Sequence, residues 1–186
     1  MYKRITCFFL IMIFVTVFVP ADKDRDKKIE ECQPLLREAR ELHMKGNTKA
    51  AIDKIKEAIE KVPDYHNFYN FLAFLYQNQK DFRNQYLAAK KTVELYEKAK
   101  ERGETRNMND IFYMNYAAAC VNYSYELRQK GDYKAEVEML VEGLKYFKLF
   151  TTLQKDARMR KIAEEQIKVI ENDLLLQAKK ALSEEN

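Results

Sequence analysis

Three short turns with the same chemistry constrain the architecture most. Gly46-Asn47-Thr48, Lys80-Asp81-Phe82 and Gly131-Asp132-Tyr133 each close one run of helically spaced apolar residues and open another. Glycine or a long polar residue ends the first helix, and Asn or Asp then offers a side-chain oxygen to the free amides of the second. The first two turns lie 80 − 46 = 34 residues apart, but the second and third lie 131 − 80 = 51 apart. The surplus of 51 − 34 = 17 residues falls between Lys90 and Tyr116, where the pattern stays helical on both sides of Gly103-Glu104-Thr105. The helices flanking that stretch are therefore expected to be about two turns longer than their counterparts. Four glycines, three prolines and no sustained apolar–polar alternation leave little room for sheet, so the chain reads as all-α.

Within each unit, small residues stand where two helices must cross closely. In the first unit these are Ala51 and Ala58, with Pro63 closing the second helix. The second unit places Tyr69, Leu72, Ala73 and Tyr76 on the buried side of its first helix. The matching residues are Leu35, Ala39 and Leu42 in the first unit, and Cys120, Tyr123, Ser124 and Leu127 in the third. This pattern resembles the tetratricopeptide repeat (TPR) family. There are departures: Glu38 replaces a leucine, and Glu136 stands where a small residue is expected, with Ala135 one place earlier and Gly143 at the later small position. The resemblance covers about two thirds of the chain. It implies a TPR-like helix–turn–helix solenoid of about three repeats, near 32–65, 66–99 and 117–150, with an elongated helix pair around 90–116. It also implies a binding scaffold rather than a catalyst.

The ends of the chain read differently. Lys3 and Arg4 precede an apolar run from Ile5 to Val19, then Val19-Pro20-Ala21 and the very polar DKDRDKK within 22–31. A basic start, a short apolar core and a small-residue site describe a secretory signal peptide over 1–21. As a membrane anchor, residues 5–21 would span only about 25 Å, less than a typical hydrocarbon core. Either way the repeats are expected in an exported compartment, periplasmic or cell-envelope, with membrane contact only through residues 5–21 if they are retained. At the other end, apolar residues from Met159 to Leu182 recur at helical spacing without a turn signature. Residues 151–186 are read as a C-terminal capping helix, since a solenoid must cover its last apolar face. Weak self-association through Leu174, Leu175 and Leu176 is the alternative use of that helix.

Charge and cysteine content exclude more than they assign. The formal charge is +4, and 4 − 2 = +2 without Lys3 and Arg4. Acidic and basic residues interleave along nearly every helix, so no basic stripe for nucleic acid emerges. Cys32 and Cys120 fall in non-adjacent repeats, which predicts no disulfide between them and leaves Cys32 free and exposed. No paired ligand spacing supports a metal, and no cofactor motif is present. The histidines, His43 and His66, belong to different repeats, and no nucleophile motif or Gly-rich phosphate loop occurs. No catalytic residue is assigned.

In the TPR family, the first helices of successive repeats line a concave groove. Carried over by position, the second repeat contributes Asn67, Asn70, Phe74, Gln77 and Asn78, which share one helix side by simple periodicity. The third contributes Tyr125 and Arg128 beside Ala118, Val121 and Gln129, with Tyr113, Tyr116 and Asn109 extending the row along the added turns. The first contributes Arg40 beside Gln33, Leu36, His43 and Met44. An amide side chain can bond both the N–H and the C=O of an extended peptide, so an Asn/Gln row suits peptide capture. The expected partner is a protein or peptide. A small apolar ligand framed by Phe74, Tyr113, Tyr116 and Tyr125 is the alternative.

Overall fold

A computed structural model describes residues 23–104 and 110–185. The described residues form a stack of helical hairpins. Helices α1 (Lys23–Glu31) and α2 (Gln33–Met44) are followed by α3 (Thr48–Lys61), α4 (His66–Asn78) and α5 (Phe82–Glu101). After residues 105–109, α6 (Ile111–Gln129) and α7 (Tyr133–Leu153) form the third hairpin. Then come α8 (Ala157–Val169), a π turn (Ile170–Leu174) and α9 (Leu175–Glu185). The pairs α2–α3, α4–α5 and α6–α7 pack as hairpins; α3 touches α4, α5 touches α6, and α8 and α9 lie along α7. The architecture is an all-α helical-repeat stack, and the described residues contain no strand. The segment over 1–21 lies outside the described residues, as do Thr105 and Asn109.

The three turns repeat one hydrogen-bond design. Gly46, Lys80 and Gly131 adopt φ of +80°, +57° and +75°, the left-handed conformation that ends a helix. The next residue then donates its N–H five residues back, Asn47 to the Leu42 carbonyl, Asp81 to Tyr76 and Asp132 to Leu127. That same residue caps the following helix. Asn47, Asp81 and Asp132 accept from the amides of Ala50, Asn84 and Ala135 at 3.4, 3.2 and 3.1 Å. One polar residue thus ends one helix and starts the next, which forces a hairpin. Lys80 holds the left-handed conformation without being glycine, at a strain of about 1–2 kcal/mol.

Counting from each turn also locates the helix crossings. Five residues on stand Ala51, Gln85 and Glu136; twelve residues on stand Ala58, Thr92 and Gly143, and all six are buried. The later slot is small in every unit. The earlier slot is small only in the first; in the other two its polar side chain is engaged from α6, which belongs to the next hairpin for Gln85 and to the same hairpin for Glu136. Asn122 donates Nδ2 to Gln85 Oε1 at 3.1 Å, and Arg128 donates Nε to Glu136 Oε1 at 2.6 Å.

The N-terminal part adds a helix and corrects one expectation. The polar stretch from Lys23 is helical although none of its residues is buried. It is tied down by Arg25, which donates to Asp64 Oδ2 at 2.6 Å and to Glu104 Oε2 at 3.0 Å. Cys32, expected to be exposed, is buried where α1 meets α2, and burial pushes its thiol up.

Beneath this corner His66 is buried among Tyr65, Tyr96 and Phe112, at ring-centroid distances of 5.4, 5.8 and 5.2 Å. Neither ring nitrogen has a hydrogen-bond partner among the described residues. Burial pushes the imidazole down to about 4, with Arg25 and Arg102 adding to the effect and Glu104 opposing it. The unfolded chain therefore takes up a proton near pH 6.5 that the folded chain refuses until about 4. Stability is full above pH 6.5 and falls as pH drops through that window, by on the order of 2 kcal/mol. His66→Phe should flatten this slope in urea titrations at several pH values; an unchanged slope would assign it to other groups.

Candidate functional site

The site is a cleft of ≈ 380 Å³ on the side of the stack where α4 and α6 run next to each other. Helix α4 supplies Asn70, Phe71, Phe74 and Gln77, with Ala73 at the floor. Asn115 and Ala118 come from α6, and Gln85 comes from the first turn of α5. Each presentation follows from helix period. Asn70, Phe74 and Gln77 are spaced by four and three, as are Asn115, Ala118 and Asn122 by three and four.

Amide side chains bridge the helices. Asn115 donates Nδ2 to Asn70 Oδ1 at 3.0 Å, joining α6 to α4. The Asn122–Gln85 bond joins α6 to α5 near the other end. Between them Phe71 and Phe74 stack with centroids 5.9 Å apart and planes 18° apart. Helix α2 reaches the same aromatic pair. Its Arg40 guanidinium lies over Phe71 at 5.8 Å, and His43 meets Phe74 edge-on at 5.1 Å. His43 is in turn linked through Nδ1 to Thr48 Oγ1 at 3.2 Å. The first helices of three successive hairpins therefore contribute to one surface. Phe74 remains 44% exposed despite these neighbours.

Of the residues expected at the groove, Asn70, Phe74 and Gln77 meet in the cleft and Arg40 stands at its rim. Asn67 is half-buried and donates to Tyr65 Oη at 2.9 Å, while the exposed Asn78 donates to the Phe74 carbonyl at 2.8 Å. Tyr125 is exposed farther along α6.

Three expected residues are placed otherwise. Tyr113 and Tyr116 are each 1% exposed and turn away from the cleft, toward α5 and α7. Their hydroxyls donate to Glu97 and Glu142 respectively, and Lys100 donates to Tyr113 Oη at 3.1 Å. Burial, reinforced by Glu142, raises the Tyr116 phenol well above its usual range. At about 100° per residue, Tyr113 and Tyr116 lie roughly 140° and 160° around the helix from Ala118, so they cannot extend its row. Arg128 is committed within the chain: besides Glu136, it donates to Gln177 Oε1 at 2.9 Å and to the Leu174 carbonyl at 3.4 Å.

Phe71, Gln85 and Asn115 were not anticipated. Asn115 was legible, since it lies three residues before Ala118 on the same side of α6. Gln85 was not, because it belongs to a second helix. With Tyr113 and Tyr116 in the core, the aromatic frame proposed for a small apolar ligand is lost. Self-association through the C-terminal leucines also loses support: Leu174 is buried and Leu175 half-buried against their own chain, leaving Leu176 exposed at 65%.

No protein-family model and no curated protein sequence matches the chain. Among solved structures, the N-terminal domain of stress-induced protein-1 (STI-1) from C. elegans is similar, with a TM-score of 0.49 and 20% identity. The match covers 74% of this chain and 95% of that one.

Proposed function

We propose that the chain is a non-catalytic, TPR-like scaffold that holds an extended stretch of a protein partner in the cleft lined by α4 and α6. One observation carries this reading: a single surface combines bridging amides with a stacked pair of phenylalanines, of which Phe74 is exposed. The rings offer apolar contact, and the amides offer donors and acceptors at a spacing fixed by helices. A photocrosslinking side chain at Gln77 should capture a partner in cells, whereas the same group at Val141 on α7 should not. Phe74→Glu, which is exposed and so tolerated by the fold, should abolish the capture. Equal capture from both positions would move the interface away from the cleft.

The same reading places the protein in an exported compartment, with residues 1–21 acting as a signal peptide or a retained anchor. Only the residue pattern of that segment supports this part. The intact mass of the chain isolated from its native cells decides it. Loss of the first 21 residues is expected, a full-length chain in the membrane fraction would indicate the anchor, and a full-length chain in the cytosol would overturn the assignment.

A further inference from the structure

We propose that the ligand segment over the cleft is an extended polypeptide without charged side chains for about three to four residues, held chiefly through its main chain. This deepens the proposed function and rests on it.

The charge distribution is the first observation. A third of the chain (33%) is Asp, Glu, Lys or Arg, yet α4 has none of these from His66 to Asn78. The residues lining the cleft carry none either. A charged ligand side chain seated there would lose hydration without meeting an opposite charge. The nearby Arg40 stands at the α2 rim, its guanidinium laid over Phe71.

The second observation is the state of the amides. In the Asn115–Asn70 bond the Asn70 NH2 and the Asn115 carbonyl oxygen remain without a partner among the described residues. In the Asn122–Gln85 bond the same holds for the Gln85 NH2 and the Asn122 oxygen. Each pair thus offers one donor group and one acceptor, the complement of a peptide C=O and N–H. Exchanging the donor and acceptor within a pair leaves the same set, so the conclusion does not depend on which amide donates.

Spacing is the third. Asn115 and Asn122 are seven residues apart on α6, about 10.5 Å. Three residues of extended chain cover about 10 Å. The two pairs therefore match residues i and i+3 of an extended ligand in the polyproline II conformation running along α6, since that conformation turns its main-chain groups to the same side every third residue. Phe71 and Phe74 lie beside that path, where an aliphatic or aromatic ligand side chain can rest.

The test uses the full chain to select from a phage-displayed library of random heptapeptides, followed by calorimetry on synthetic copies of the enriched sequences. Enriched peptides should be depleted of Asp, Glu, Lys and Arg at their central positions. Their affinity should change less than about twofold between low and high salt, since no ion pair forms. Asn70→Ala/Asn115→Ala should weaken them by roughly tenfold, the loss of about one to two hydrogen bonds. N-methylation of the central peptide amides should do the same, and that readout needs no protein variant.

Groove-dependent binders rich in acidic residues, or a steep salt dependence, would overturn the uncharged-ligand inference and leave the scaffold reading intact. Indifference to N-methylation would overturn main-chain capture. Peptides that survive both Phe74→Glu and the asparagine double variant, or a library that yields no binder, would overturn the proposed function together with this inference.

Discussion

Arg128→Ala is expected to destabilise the fold by about 2–3 kcal/mol, read as a lowered urea midpoint at constant slope. Its partner Glu136 is 2% exposed and sits in the slot occupied by Ala51 in the first hairpin. Removing the arginine leaves that carboxylate buried with its chief hydrogen bond gone and Oε2 already unpartnered among the described residues. Because Arg128 itself is partly exposed, water reaches the gap and holds the loss toward the lower end of what a fully buried pair would show.

The double variant Arg128→Ala/Glu136→Ala distinguishes this account from simple loss of packing. Alanine is what the slot accepts in the first hairpin, so the second change should restore more than half of the loss. A double variant less stable than the single one would sink the buried-charge explanation. Arg128 also donates to the Leu174 carbonyl and to Gln177. The single variant should therefore speed amide exchange in α9 before it affects α2 and α3, where no contact is lost.

That arginine shows where sequence reading succeeds and where it stops. The hairpins were legible because their turns are local: a left-handed residue followed by a capping Asn or Asp needs only adjacent residues. The cleft side of α4 was legible for the same reason, being counted directly from the Lys80 turn. Helix α6 defeated the extrapolation because it is packed between α5 and α7 and is apolar on several sides. Tyr113 and Tyr116 therefore look no different in sequence from the exposed Tyr125. Their hydroxyls reach carboxylates on α5 and α7, contacts that no local pattern reveals. Arg128 looked like a free groove cation for a related reason, since its partner lies across a turn and its other two contacts lie 46 and 49 residues away. The helical state of the polar α1 was hidden similarly, because Arg25 finds Asp64 39 residues on and Glu104 79 residues on.

Gly143→Val is expected to destabilise by about 3 kcal/mol and to damage the cleft as well. A Cβ at this position would lie 3.1 Å from the Ala117 carbonyl oxygen and 3.2 Å from the Cys120 Cβ, with Val121 Cγ2 at 3.5 Å. The first of these is backbone within α6, so it yields only if the whole helix moves. Gly143→Ala gains up to about 1 kcal/mol of helix propensity, which offsets a shift of a few tenths of an ångström and keeps the net change small. Valine adds two further methyls and must push α6 away from α7. Asn115 and Asn122 are carried on that same helix, and their bonds to Asn70 and Gln85 are 3.0 and 3.1 Å long. Displacing α6 therefore strains both amide bridges, so binding at the cleft should fall further than the loss of folded protein explains. Val141→Ala on the exposed side of the same helix is the control and should change stability by less than about 0.5 kcal/mol. A Gly143→Val protein as stable as the control would mean that α6 and α7 cross more loosely than these distances require, and that the cleft does not depend on the closeness of that crossing.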